Sequence, residues 1–179
     1  MRAVPITVTA LAAALLLTAC SGDDSDSGGS GGSGGTASKA SGSACALDNL
    51  GAEVGPVDAA PAAGDTGNVT VTLTNNGAEC TLDGFPDVDL SAGDTSSTLR
   101  RTDGAEAQKV TVPKQGTFTF TITYVRGESG DKGLAVKTVK YALPGSSKTE
   151  SFPWSYGDVA LKSADEPEAT VSAFQQAGD

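Results

Sequence analysis

The amino-acid sequence predicts a single all-β domain, built as a two-sheet sandwich, and three observations support that prediction. Apolar and polar residues alternate strictly in several segments, most clearly over residues 69–74 and 117–125, as half-buried strands require. Turn-forming glycine, proline, asparagine or aspartate recurs about every eight to twelve residues. No segment shows the longer apolar period of an amphipathic helix.

Residues 1–19 are predicted to be a lipoprotein signal peptide that lies outside the fold. Arg2 precedes an apolar run of alanine and leucine that is too short to span a bilayer. The run ends in Leu-Thr-Ala-Cys, which resembles the bacterial lipobox, and that resemblance implies a diacylglycerol on Cys20. The alternative is an ordinary secretory signal in which the cysteine is accidental. Cleavage before Cys20 would leave 179 − 19 = 160 residues.

Residues 20–44 are predicted to be the lipidated cysteine followed by a disordered linker. Serine, glycine and aspartate dominate this segment, and it has almost no apolar side chains to bury. Such a composition cannot offset the entropy lost on ordering. We therefore expect a tether that holds the domain away from a membrane.

Residues 45–179 are predicted to form the β-sandwich domain. The expected strands number about eight or nine, and the connections are expected to be of the immunoglobulin-like or Greek-key type. An eight-stranded barrel remains the alternative. In chain order the candidate strand segments are a loosely patterned edge strand at 46–57, then 69–74, 80–82, 87–91, 98–102, 108–112, 117–125, 134–143 and 148–154, with closing strands at 157–161 and 170–174.

The segment 69–86 is predicted to be a β-hairpin. Val69, Val71 and Leu73 share the inward face, and the Asn-Asn-Gly at 75–77 tolerates the positive φ of a tight turn. Cys80 and Leu82 then resume the inward pattern.

The strand at 117–125 has the clearest alternation in the chain. Phe118, Phe120, Ile122 and Tyr124 share one face, and four threonines share the other. The apolar set is predicted to lie in the core.

Charge and composition exclude several classes of function. The chain has 12 basic and 22 acidic residues, and loss of Arg2 with the signal leaves 11 against 22, a net charge of −11. That balance argues against nucleic acid and against docking on anionic headgroups, both of which need clustered Lys and Arg. The chain contains no histidine, which removes the common hydrolase triads and histidine-based zinc sites. We expect no enzymatic activity and no cofactor.

Three cysteines are present, and Cys20 is assigned to the lipid. Cys45 and Cys80 then remain as an even pair outside the reducing cytoplasm, which predicts a disulfide between them. The alternative is two free thiols, one inert and one reactive.

Two candidate ligand sites remain. Asp87 and Asp89 lie two apart on one strand and could hold calcium, although a solvated strand face explains them as well. Trp154 and Tyr156 could form an aromatic platform for a sugar or peptide, although packing at a strand end explains them as well.

The order of motifs resembles an actinobacterial family of lipid-anchored domains of unknown function, domain of unknown function 4232. The motifs are the lipobox, the Gly/Ser spacer, isolated Cys45, Leu-Thr-Asn-Asn-Gly at 73–77, Cys-Thr-Leu-Asp-Gly-Phe-Pro at 80–86 and Val-Pro-Lys-Gln-Gly-Thr-Phe-Thr-Phe at 112–120. The resemblance implies a secreted all-β domain with two paired cysteines, and it implies no catalytic residues.

The predicted function is that of a lipoprotein anchored through Cys20 on the outer face of the cell membrane. Its domain is expected to bind an unidentified extracytoplasmic protein or cell-wall partner without catalysis. A small-ligand or glycan-binding domain near Trp154 is the alternative. A carboxylate-based hydrolase is the least favoured class.

Overall fold

Strands make up most of the part of the chain that the computed structural model describes, which is residues 42–130, 132–164 and 166–177. The predicted signal peptide, Cys20 and nearly all of the predicted linker lie outside the described residues. Within them, one 3-10 turn, Leu47–Asn49, precedes fifteen strands. The strands are β1 (Leu50–Asp58), β2 (Thr66–Asn75), β3 (Cys80–Asp83), β4 (Asp87–Ala92), β5 (Thr95–Thr98), β6 (Arg100–Arg101), β7 (Lys109–Val112), β8 (Thr117–Val125), β9 (Gly133–Leu134), β10 (Thr138–Ala142), β11 (Glu150–Pro153), β12 (Val159–Ser163), β13 (Glu166–Pro167), β14 (Ala169–Val171) and β15 (Gln175–Gln176).

Two larger sheets form the predicted sandwich. The first sheet has the order β1-β2-β8-β14-β6, with β15 also paired to β8, and the second has the order β11-β10-β4-β5. Strands distant in sequence are neighbours in both sheets, so the chain crosses repeatedly between them, as in Greek-key connections. Two smaller sheets, β13-β12-β9 and β3-β7, complete the described part of the domain. No helix in the described residues is long and apolar enough to cross a bilayer.

The core lies between the inner faces of these sheets. Residues Phe118, Phe120 and Ile122 are fully buried, and Tyr124 is 1 % exposed, which confirms the predicted inward face of β8. The ring of Phe120 lies 5.4 Å from that of Tyr141, which belongs to the second sheet. Aromatic contact across the two layers therefore joins them.

Threonines occupy the outer face of the first sheet. In the β2–β8 ladder three pairs of threonines face each other across the strands, and in one of them the hydroxyls of Thr70 and Thr121 share a hydrogen bond of 3.1 Å. Thr123 donates to the side-chain oxygen of Asn68 at 2.8 Å. Hydroxyl groups on this half-exposed ladder thus bond to side chains and backbone of the neighbouring strands.

The predicted hairpin at 69–86 is wrong in its pairing. β2 pairs with β1 on one side and β8 on the other, so neither edge is free for β3, which instead pairs with β7. The turn residue Asn75 is buried, and its amide nitrogen donates to the carbonyls of Ala78, Val112 and Pro113. Its side-chain oxygen accepts from the backbone N–H of Gly77 at 3.0 Å. These bonds redirect the chain into the neighbouring sheet.

The edge strand predicted at the start of the domain is confirmed. β1 lies at the end of the first sheet and pairs only with β2 among the described residues. Its register shifts between Val54 and Val57, on either side of Pro56. A proline and an irregular register both protect an exposed sheet edge from further pairing.

The disulfide between Cys45 and Cys80 is confirmed, and both residues are buried. The backbone N–H of Cys45 donates to the carbonyl of Thr81, and the N–H of Thr81 donates to the carbonyl of Ser43. The disulfide and these hydrogen bonds therefore hold the start of the domain against β3, and not against the hairpin predicted at 69–86.

Alkaline pH is expected to destabilise the fold through Tyr141, which is 3 % exposed. Burial, and then the carboxylate of Glu150 opposite it on β11, raise the pKa of the phenol from 10.0 to about 12. An unfolded tyrosine loses its proton near pH ~10, whereas the folded one keeps it. The stabilisation is therefore complete below pH 10 and is lost as pH rises towards 12.

The measurement is thermal unfolding across that pH range for the wild type and for Tyr141→Phe. The two proteins differ only in the phenol hydroxyl, so the difference between the two curves isolates its contribution. We expect the melting temperature of Tyr141→Phe to fall less steeply with pH. Parallel curves would contradict the assignment.

Candidate functional site

Trp154 lies in the core and does not form a surface platform. The residue is 7 % exposed, its ring lies 4.9 Å from that of Tyr124 and 4.8 Å from that of Tyr156, and its indole N–H donates to the carbonyl of Gly157. The hydroxyl of Tyr124 donates to the carbonyl of Tyr156 at 3.0 Å. The structure therefore favours the packing alternative, in which these aromatics close the sandwich.

Asp87 and Asp89 lie on the outer side of β4, where they alternate with the buried residues Val88 and Leu90. The carboxylate of Asp89 accepts a hydrogen bond from the hydroxyl of Thr98, and Lys140 is its partner in register on β10. The described residues contain no group of three or more side chains able to hold a metal ion. These contacts favour the solvated-face alternative over a calcium site.

A groove of about 700 Å³ lies between β7 and the C-terminal segment of the chain. β14 and β15 both pair with β8, and Ser172 still donates its N–H to the carbonyl of Thr121, but residues 173 and 174 leave the ladder and Phe174 turns into the core, 5.6 Å from the ring of Phe118. The departure opens space beside β7. Val110, Ala173 and Phe174 supply apolar lining.

The β7 edge that faces away from β3 is unpaired. In an antiparallel ladder, opposite residues alternate between pairs that exchange both backbone bonds and pairs that exchange none. Thr81 uses its N–H and C=O on the segment at 43–45, so the Thr81–Thr111 pair exchanges none. The backbone groups of Thr111, and of Lys109 two residues earlier, therefore point away from β3, and no hydrogen bond recorded among the described residues uses them.

Amide and hydroxyl side chains make up most of the polar lining of the groove. The chain has four glutamines, and three of them, Gln108, Gln175 and Gln176, line this cavity. Each amide carries both donors and an acceptor and so suits neutral polar groups such as peptide bonds. The charged residues of the lining are Glu106 and Lys109, which gives no carboxylate pair for hydrolysis.

The sequence predicts the strand β7, but it does not predict this groove. The alternation of Val110 and Val112 indicates which face is buried, but it says nothing about whether both edges of the strand are paired. No signal in the sequence connects Gln108 with Gln175 and Gln176, because they lie in distant segments that only the fold brings together.

Fold and groove together define a small disulfide-linked β-sandwich domain with one open strand edge beside a polar groove. Residues 45–175 match the family model described as a domain of unknown function, DUF4232. The chain belongs to that family, as its motifs suggested. None of the curated proteins compared with the chain matches it.

Proposed function

We propose that this protein is a cell-surface lipoprotein whose β-sandwich is a non-catalytic binding module, and that the groove beside β7 is its interaction site. The observation that supports the proposal is the juxtaposition of a free strand edge with a polar cavity of about 700 Å³. Lys109 and Thr111 are exposed on β7, and the unpaired N–H and C=O groups of an exposed strand edge are a template for pairing with another chain, which favours a binding partner there. The lipobox and the Gly/Ser spacer support the surface location.

A non-catalytic role is supported by the residues of the groove. Glycoside hydrolysis generally uses two carboxyl groups on either side of the scissile bond, and Glu106 is the carboxylate of this lining. Asp87 and Asp89 lie on an outer strand face instead. A small-ligand or glycan site near Trp154 would have to use the half-buried Tyr156, because the indole itself lies in the core.

Cys20→Ala is expected to release the protein from the membrane fraction. The physical reason is that the acyl chains on Cys20 supply the apolar area that holds the protein to the bilayer. Fractionation of cells, with immunodetection of the membrane and the medium, measures the change. A Cys20→Ala variant that is processed and retained like the wild type would show that Cys20 is not the anchor.

Site-specific photocrosslinking on intact cells tests the groove. A benzoylphenylalanine in place of Gln176, which is exposed on the groove wall, is expected to give a discrete crosslinked product. The matched control places the same group at Glu53, which is exposed on β1 at the far edge of the first sheet. Absence of product at Gln176, or equal products at both positions, would contradict a binding role for the groove.

A further inference from the structure

We infer that the groove takes an extended polypeptide segment of a partner protein, which hydrogen-bonds to the free edge of β7 as an added strand. This inference rests on the proposed binding function and states the chemistry of the partner. Strand addition uses the backbone for affinity and the flanking side chains for selectivity.

The outward backbone groups of β7 have the spacing that a strand needs. Lys109 and Thr111 each direct one N–H and one C=O towards the groove side, and residues two apart on a strand are separated by about 7 Å. An added strand would pair with both residues, exchanging two hydrogen bonds with each, if it ran antiparallel. β3 already fixes β7 from the other side, so the edge is rigid before binding.

Three of the other strands at sheet ends contain proline, whereas β7, like the short strands β5, β6 and β9, does not. Pro56 lies in β1, Pro153 in β11 and Pro167 in β13, and each of these strands lies at the end of its sheet. Proline removes a backbone donor and blocks continued pairing. In β7 all four residues, Lys109 to Val112, retain their N–H groups.

The groove lining sets the side chains that the added strand would carry. Val110 is half-buried and Phe174 is buried, so alternate residues of the partner would place small apolar side chains against them. Glu106 lines the groove, Asp103 is exposed close by in sequence, and neither forms a recorded ion pair among the described residues. The chain has a net charge of −10. Lys109, on β7 itself, is the cation of the lining, so charge complementarity selects Lys or Arg only at the end of the segment that passes Glu106 and Asp103.

Amide hydrogen exchange with a defined probe tests the inference. The probe is a synthetic decapeptide of alternating Val and Thr with two lysines at one end, and the control is the same peptide N-methylated at alternate residues. At about 1 mM peptide, the N–H groups of Thr111 and Lys109 should exchange at least ~10-fold more slowly. Those of Val110 and Val112, which face β3, should be slow with or without peptide. The N-methylated peptide should protect neither Thr111 nor Lys109.

A backbone variant gives the matching protein-side test. Thr111→Pro removes the outward N–H without removing a bond to β3, whereas Thr111→Val keeps that N–H and changes only the side chain. We expect Thr111→Pro to weaken peptide binding at least ~10-fold and Thr111→Val to leave it within about twofold. Circular dichroism of both variants checks that the fold is retained. A version of the peptide with two glutamates in place of the lysines should bind more weakly than the basic one.

Three results would overturn the inference. The first is an unchanged exchange rate at Thr111, and the second is an equal effect of the plain and the N-methylated peptides. The third is protection of the same amides that rises with protein concentration in the absence of peptide. That third result would make the edge an interface between two copies of the chain. If crosslinking at Gln176 on cells persists while amide exchange at Thr111 is unchanged, the binding function is retained and only strand addition is contradicted. Loss of both signals would remove the binding function itself.

Discussion

Phe120→Ala is expected to lower the free energy of unfolding by about 3–5 kcal/mol, which is a large share of the ~5–15 kcal/mol typical of a domain. Phe120 is fully buried, and its ring lies 5.4 Å from that of Tyr141 and 6.0 Å from that of Phe174. Truncation removes contacts with both sheets and leaves a cavity that close-packed neighbours fill only in part. Urea denaturation followed by tryptophan fluorescence measures the loss.

The matched control is Thr121→Ala, one residue along the same strand. Thr121 faces outward and is half-exposed, and its hydroxyl shares a hydrogen bond with that of Thr70. Loss of one such bond typically costs about 1 kcal/mol or less. Equal effects of the two substitutions would mean that the strand register differs from the one described, because a shift of one residue exchanges the two faces.

Reduction of the Cys45–Cys80 disulfide is expected to cost the domain about 4 kcal/mol. The two cysteines are 35 residues apart in sequence, and the chain-entropy relation for a loop of that length gives this magnitude. Freed from the bond, the segment at 43–45 would keep only its backbone hydrogen bonds to Thr81 as attachment to β3. Thermal unfolding with and without a reductant measures the loss.

The control for reduction is the double variant Cys45→Ala, Cys80→Ala. Its melting temperature should match that of the reduced wild type and should not respond to reductant. Intact mass of the domain lacking Cys20 should equal the reduced mass less the two hydrogens lost on bond formation. A reductant that leaves wild-type stability unchanged, or two thiols that react with a label under denaturing conditions, would contradict the structural role of the bond.

Local periodicity is the part of the fold that could be predicted. The alternation in β2 and β8 specified both strands and the faces they bury, because successive side chains on a strand point to opposite sides whatever the strand pairs with. The disulfide was predictable for a different reason, since assigning Cys20 to lipid left two cysteines, Cys45 and Cys80. The strand boundaries were less predictable than the strands themselves. The strand predicted at 134–143 is observed as two strands, β9 and β10, because the N–H of Val136 bonds back to the carbonyl of Leu134 and interrupts the pairing.

Of the groove beside β7, the sequence predicted only the apolar alternation of that strand, and the site it did suggest was the aromatic pair near residue 154. Trp154 and Tyr156 stand out in the sequence as rare aromatics, and their rarity favoured the core over a surface platform without excluding the platform. Only burial decided between these alternatives, since Trp154 packs against Tyr124 and not against solvent. The glutamines of the groove attracted no attention, because nothing local indicates that positions 108 and 175 come together.

The amino-acid sequence was enough to identify a β-protein of the DUF4232 family, the inward faces of its clearest strands and the two cysteines that pair. Tertiary structure alone decided which strands are neighbours. β3 follows β2 directly but pairs with β7, because both edges of β2 are taken by β1 and β8. Pairing of that kind depends on competition among strands distant in the chain, and no local period encodes it. The open edge of β7, and with it the proposed binding groove, is a consequence of that competition.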